Sequence, residues 1–326
     1  PQLTSWNSLP ALPPLVPFAA VAGARSQDPG VSPWWRSLDG EWGFTGFDRP
    51  EDVTAESLRG PDPDHGVGPS HMTVPGAWTL QGFSSPHYTN VVMPFPGDLP
   101  EVPEANPTGV YVTTVTVPRE WRGRRVVLRV GAAESVVVAF VDGVAVGLGT
   151  DSRLPSEFDI TSHVRAGRRA TIALAVVRFS AQTWVEDQDQ WWHGGLQRSV
   201  TLHSTAPDHL ARVELVPGLD GGGESGGDGG AVGTLAVRVD VDGPMASVPV
   251  AGTRARDGVE DPGPGTVEVH VETLRGRRLA TTGPIEVPRW NDTAEVTRLV
   301  SAMFVRPGHV EAAVRVPGIS PWSAED

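Results

Sequence analysis

Hydrophobic and polar residues alternate with period two through much of residues 31–205, the spacing of strands buried on one face. The pattern begins at Trp34-Trp35-Arg36-Ser37-Leu38-Asp39-Gly40-Glu41-Trp42-Gly43-Phe44. Leu38, Trp42 and Phe44 fall on one side, with a turn at Asp39-Gly40. Residues 48–72 then read as a polar surface loop, and 94–107 as a Pro-rich stretch too irregular for a core strand. Strands follow quickly: Tyr111 to Val117 with its threonines outward, Arg125 to Val130, and Ser135 to Val141. Asp142-Gly143 is a strong hairpin signal, and Val144 to Gly147 is its return strand. Thr171 to Phe179 and Arg198 to His203 complete roughly eight strands with irregular connections, as in a jelly-roll sandwich.

A second unit starts near Ala206-Pro207. Leu210 to Val216 and Gly233 to Val241 alternate, separated by a Gly-rich run at 219–230 that reads as a flexible hairpin tip. Residues 252–265 read as a second mobile loop. Thr266 to Leu274, Ala294 to Val305 and His309 to Val316 are further strands. Short strands without a helix suggest an immunoglobulin-like sandwich. Before both units, Pro10, Pro13, Pro14 and Pro17 interrupt an apolar stretch, which reads as an extended arm. The expected chain is therefore all-β: an arm at 1–30, a jelly roll at 31–205, and an immunoglobulin-like sandwich at 206–326.

Composition narrows the function. With 38 Gly and 31 Pro, long helices are disfavoured. A net charge of −13 argues against a nucleic-acid backbone or an anionic membrane as the main partner. The absence of cysteine excludes disulfides and thiolate metal sites and fits a reducing compartment, so a cytoplasmic location is expected. No apolar run reaches the ~18 residues needed to span a bilayer.

Candidate chemistry concentrates between Trp184 and Gly195. In Trp184-Val185-Glu186-Asp187-Gln188-Asp189-Gln190-Trp191-Trp192-His193, three carboxylates sit within a bracket of tryptophans. Indole faces can stack on the C–H face of a pyranose, and carboxylates can take its hydroxyls or a hard cation. The competing reading makes the tryptophans core and the acids a solvated loop. Asn106, ahead of Pro107, reads from the residues alone as a turn former. His87, Tyr88 and His193 read as packing or hydrogen-bonded structural groups.

Several stretches converge on one family. Asn106-Pro107-Thr108-Gly109, Asp151-Ser152-Arg153-Leu154-Pro155-Ser156-Glu157-Phe158-Asp159 and Glu186-Asp187-Gln188-Asp189 resemble the N-terminal region of bacterial β-galactosidases of glycoside hydrolase family 2. Leu38-Asp39-Gly40-Glu41-Trp42, Val74-Pro75-Gly76-Ala77-Trp78, Tyr88-Thr89-Asn90-Val91 and Arg165-Ala166-Gly167 fit the same pattern. The resemblance covers about residues 28–205 and continues more weakly to the end.

The resemblance implies a sugar-binding jelly roll, an immunoglobulin-like sandwich, and then a catalytic TIM barrel that would begin where this chain stops. Retaining glycosidases need two carboxyl groups about 5–5.5 Å apart. No pair here suits that role, so the catalytic glutamates are expected on the barrel and this chain alone is expected to be inactive. Asn106 and Asp189 are implied at the mouth of the galactose pocket, Asn106 meeting sugar hydroxyls and Asp189 meeting both the sugar and a sodium ion. Asp151, Arg153, Glu157 and Asp159 are expected to pair internally and orient their loop. A magnesium ion is also implied for the full-length enzyme. Here Arg25, Thr150 and Ala181 stand near its ligand positions, and that site is not carried over. The expected partners are a β-galactoside, the chain's own barrel, and further copies in a tetramer. A free-standing carbohydrate-binding module, or a β-glucuronidase or β-mannosidase relative, is the alternative.

Overall fold

Trp42, Tyr111, Leu128, Phe158, Ile172 and Leu202 meet in one apolar core although they belong to two different sheets. The computed structural model describes residues 5–10, 15–62, 64–89, 93, 95–186, 188–220, 231–243, 265–273, 275–287 and 309–319. The chain divides into two compact units whose sequence border falls between Thr205 and Ala206.

In the first unit the chain enters with β1 (Ser5–Trp6) and a short helix α1 (Val21–Ser26), then β2 (Trp35–Ser37), β3 (Gly40–Phe47), β4 (His71–Val74), β5 (Gly76–Ala77) and β6 (His87–Thr89). It continues through β7 (Thr108–Thr116), β8 (Arg125–Val130), β9 (Ala133–Glu134), β10 (Val136–Val141), β11 (Val144–Gly149) and β12 (Ser156–Asp159). The unit closes with β13 (Arg169–Val177), α2 (Ala181–Val185), β14 (Gln190–Trp192), β15 (Gly195–Leu196) and β16 (Val200–Thr205). A seven-stranded sheet, ordered β1-β11-β10-β13-β7-β3-β4, packs on a four-stranded sheet, β12-β8-β16-β2. From β7 onward the chain crosses repeatedly between them, from β7 to β8, from the β10–β11 hairpin to β12, and from β12 to β13, as a jelly roll does.

Local chemistry explains the register. Asp142 and Gly143 both adopt positive φ, 50° and 80°, so the β10–β11 hairpin closes with Val141 opposite Val144. Opposite this hairpin, a Cβ on Gly147 would lie 2.2 Å from Phe158, so only glycine admits that ring.

The structure departs from the sequence reading in several places. The stretch 48–72 is not simply a surface loop, because Val53 and Leu58 pack on the outer face of the large sheet against Phe47, Val110 and Val112. Buried Asp62 accepts from Thr54 Oγ1 at 2.7 Å, and its backbone N–H donates to Thr45 Oγ1 at 2.9 Å. The first half of β7 is thereby buried on both faces, and threonines face outward only at Thr114 and Thr116. The N-terminal arm is partly docked. Ser5 pairs with Gly149, Ser8 bridges Phe158, and Leu9 N–H donates to Glu157 O at 2.8 Å.

The second unit has β17 (His209–Asp220), β18 (Ala231–Asp242), β19 (Thr266–Glu272), β20 (Arg278–Glu286) and β21 (His309–Ile319). The sheets β17-β18-β21 and β19-β20 share a core of Val237, Val239, Val287 and Val310. β20 is absent from the sequence reading, since Gly283-Pro284 interrupts its alternation where the register also shifts. The expected strand 294–305, the run 221–230 of the hairpin tip and 252–264 of the second loop lie outside the described residues.

Candidate functional site

The aromatic loop begins where β13 ends. Asn106 determines that exit: its Nδ2 donates to Phe179 O and its Oδ1 accepts from Phe179 N, each at 2.9 Å. The side chain is 4% exposed. Each end of a carboxamide keeps one further bonding position, but here neither faces open solvent. Phe179, so placed, joins Phe95 and Trp192 in a small satellite core, with Met93 and Trp184 against it.

After Phe179, Ser180 caps α2. Its hydroxyl accepts from Gln182 N at 3.2 Å, and Thr183 Oγ1 accepts from Ser180 N at 3.0 Å, the reciprocal arrangement of a capping box. Trp184 is anchored by donating Nε1–H to Glu101 O at 2.7 Å. The segment read as a plain loop therefore contains a helical turn, and β14 after it pairs with β6: Gln190 opposite Thr89, Trp191 opposite Tyr88, Trp192 opposite His87.

Strand alternation then sorts the tryptophans. Trp192 points inward and is 4% exposed, while Trp191 points outward and is 56% exposed. Asp189 is exposed and accepts a hydrogen bond from the Tyr88 hydroxyl. Tyr88 packs on Trp191, as a packing residue would, but it is half exposed and also donates to the loop acid. His193 matches its structural reading, with Nδ1 2.8 Å from Thr79 Oγ1. His87 stacks on Phe179, with centroids 6.0 Å apart and rings 8° from parallel. Burial, and then the nearby Arg178 charge, hold its pKa below the ordinary histidine value. Asn106 bonds to Phe179 and Asp189 to Tyr88, so the two sequence-predicted site residues hold separate anchor points of the loop. Asp187 lies outside the described residues.

Two buried charges position this loop, and the sequence reading missed both. Glu134, 4% exposed, accepts from His193 N at 3.2 Å, Gly194 N at 2.9 Å, Gln197 Nε2 and Arg153 at 3.4 Å. Arg178, 3% exposed, donates to Ser84 Oγ and to Trp192 O at 3.2 Å. Burial lowers its pKa to about 10, opposed by the charge of Glu134. A lone Glu in the apolar run Gly131-Ala132-Ala133-Glu134-Ser135-Val136-Val137 was the available signal for a buried, paired acid. Gly194, φ +74°, completes the turn: a Cβ there would stand 2.2 Å from Trp78 Nε1.

The run 151–159 is tied to its surroundings rather than within itself. Arg153 reaches Glu134, and Ser152 N–H donates to Glu186 Oε1 at 3.2 Å, so the run does brace the aromatic loop. Glu157 pairs with Arg129 at 2.5 Å and Asp159 with Arg125 at 2.7 Å, both partners on neighbouring β8. Internal pairing is therefore replaced by cross-strand pairing.

The geometry offers recognition chemistry: an exposed carboxylate, exposed rings, and a rigid buried support. Among the described residues, no group of three or more His, Asp and Glu side chains could hold a metal. A hard cation takes about six oxygen ligands, so Asp189 could provide only part of a sodium site. The magnesium positions fit poorly, since Ala181 has no side-chain oxygen and Arg25 is cationic.

Residues 35–206 match the family model described as glycosyl hydrolases family 2, sugar binding domain. The chain is 38% identical over 224 residues to a β-galactosidase of Aeromonas hydrophila, covering 67% of this chain and 22% of that protein. It is 39% identical over 221 residues to a β-galactosidase of Pectobacterium atrosepticum, covering 67% and 20%. This chain thus matches only about a fifth of their length. Among solved structures, a Bifidobacterium dentium β-glucuronidase superposes with a TM-score of 0.57 at 19% identity, over 89% of this chain and 43% of that one. A Ruminococcus gnavus β-glucuronidase gives a TM-score of 0.54 at 17% identity, over 89% and 40%. These two share the fold. The chain belongs to the sugar-binding-domain family of the family 2 glycosyl hydrolases.

Proposed function

We propose that the chain is a non-catalytic part of a β-galactosidase that hydrolyses terminal β-D-galactose residues with retention, and that it contributes sugar-contacting groups to that enzyme's active site. The observation that carries this reading is the identity of 38–39% to named β-galactosidases over two thirds of the chain, confined to about a fifth of their length. In this reading Asp189 meets sugar hydroxyls and supplies one oxygen to a sodium ion. Asn106 acts by holding Phe179 and so setting the exit of the aromatic loop, which places the loop's sugar-contacting groups. The glutamates that break the glycosidic bond belong to a barrel outside these residues, and any magnesium would be held elsewhere in the full-length enzyme. Assembly into tetramers belongs to the same proposal. The β-glucuronidase alternative rests on fold alone, at half the identity.

The test is hydrolysis of a chromogenic β-galactoside by the purified 326-residue chain and by the enzyme that contains it. The enzyme turns the substrate over and the chain alone does not. Turnover by the chain, abolished by a substitution within it, would overturn the non-catalytic assignment. Turnover of β-glucuronides in preference to β-galactosides would overturn the substrate class.

A further inference from the structure

Arg178 is a buried cation whose side-chain bonds go to neutral oxygens, the Ser84 hydroxyl and Trp192 O. Among the described residues it forms no ion pair, and its Nε–H has no partner. Glu134, whose charge favours this cation, is already paired with Arg153. Buried charges are normally paired, so an unmatched guanidinium is costly to keep. Arg178 lines a cleft of about 520 Å³ together with Ser84, Ser85, His87 and Phe179. Its guanidinium carbon lies 5.2 Å from the centre of the Phe179 ring, on which His87 also stacks. His87 Nδ1 is buried without a partner as well. Ser84 adopts φ 61°, uncommon for a residue with a side chain, and its hydroxyl is held on Arg178.

We propose that this cleft binds a small organic monocarboxylate, Arg178 supplying the opposite charge while His87 and Ser85 donate hydrogen bonds to its oxygens. The ligand is an anion and its residues are not those assigned to the sugar, so the inference stands apart from the function proposed above. The planar guanidinium fork matches a carboxylate, and Nη1 and Nη2 each keep a second N–H beside the unpartnered Nε–H. Charge selects a single negative. Arg178 is the one cationic side chain among the described lining residues, Asp48 adds a negative charge, and burial with the Arg178 charge holds His87 towards its neutral form. A phosphate dianion would be left half compensated. Val67, Phe83 and Pro107 make the rest of the wall apolar, which suits a carbon tail better than an inorganic anion does.

The experiment is equilibrium dialysis of radiolabelled propionate against the purified chain, with propionamide and inorganic phosphate as competitors. Saturable binding at one site is expected, and both competitors should be at least about tenfold weaker, the loss expected when a charge-assisted pair is removed or mismatched. Arg178→Gln should weaken binding by a similar factor. Should that variant fail to fold, the wild-type chain decides: propionate should shift the His87 ring resonances in NMR spectra and propionamide should not. Retained binding by the whole enzyme would assign the site to a free organic acid. Binding by the chain alone would assign the carboxylate to an acidic side chain in the rest of the enzyme. No saturable binding by the chain, or equal competition by propionamide, would overturn the proposal and leave the cleft to water.

Discussion

The carboxamide of Asn106 and the peptide of Phe179, 73 residues apart in sequence, form two reciprocal hydrogen bonds of 2.9 Å. One side chain thereby substitutes for a strand partner at the exit of β13. Replacing Asn106 by Ala would leave a buried N–H and a buried C=O unsatisfied, each costing about 1–3 kcal/mol. Asn106→Ala should destabilise the chain by about 2–4 kcal/mol in urea unfolding. A change below roughly 0.5 kcal/mol, the level of an ordinary surface site, would show that the pair does not anchor the loop.

The two adjacent tryptophans should separate cleanly. Trp192 is buried with Phe95 and Phe179, and truncating a buried aromatic costs about 3–5 kcal/mol, so Trp192→Ala should approach that loss. Trp191→Ala should stay within about 0.5–1 kcal/mol, because its ring is already half in water. Thermal unfolding of both variants distinguishes the inward position from the outward one. Equal losses would mean that the β14 alternation is misassigned.

Glu134 tests the support beneath the loop. Glu134→Gln can still accept from the His193 and Gly194 amides but faces Arg153 with an NH2 group, so a loss of about 1–2 kcal/mol is expected. Glu134→Ala strips all these partners and removes the buried negative charge that favours the Arg178 cation, so roughly 3–5 kcal/mol is expected. Chemical denaturation of the two variants should preserve that order.

His87 predicts a pH dependence. Its folded pKa is depressed, by burial first and Arg178 second, so the unfolded chain takes up the proton more readily. The stability tied to this group is complete above the ordinary histidine value of about 6.5 and is lost as pH falls from there through the lowered folded value. His87→Phe keeps an aromatic ring against Phe179 and removes the titration. Unfolding free energies measured from pH 7.5 to 5 should fall more steeply for the wild type than for this variant, and parallel profiles would contradict the assignment.

The strands of the first unit were largely legible because each is a run of local alternation ended by turn chemistry. β8 and the Asp142-Gly143 hairpin lie where the sequence places them. Features built from distant segments were not legible. The β6–β14 pair joins residues about a hundred positions apart in strands of three residues, too short to carry a period. The double burial of β7 depends on the 48–72 segment folding back over it, which polarity alone hides. At the site, the aromatic and acidic character of 184–195 was visible, but which tryptophan faces solvent depended on pairing with β6. Arg178 was missed because its burial depends on partners distant in sequence, whereas Glu134 did carry a local signal, a single acid within the apolar run 131–137.

In the proposed function Asp189 is a recognition group rather than a structural one. It is exposed, its hydrogen-bonding partner Tyr88 is itself exposed, and Asn at this position could still accept from that hydroxyl. The most direct measurement is steady-state kinetics of Asp189→Asn in the whole enzyme on a β-galactoside, with and without sodium, beside the unfolding free energy of the same variant in the 326-residue chain. The chain's stability should change by less than ~0.5 kcal/mol, while in the enzyme KM rises, kcat falls and the response to sodium weakens. Normal kinetics and sodium response in the enzyme, together with a markedly destabilised chain, would contradict the account and make Asp189 a structural residue.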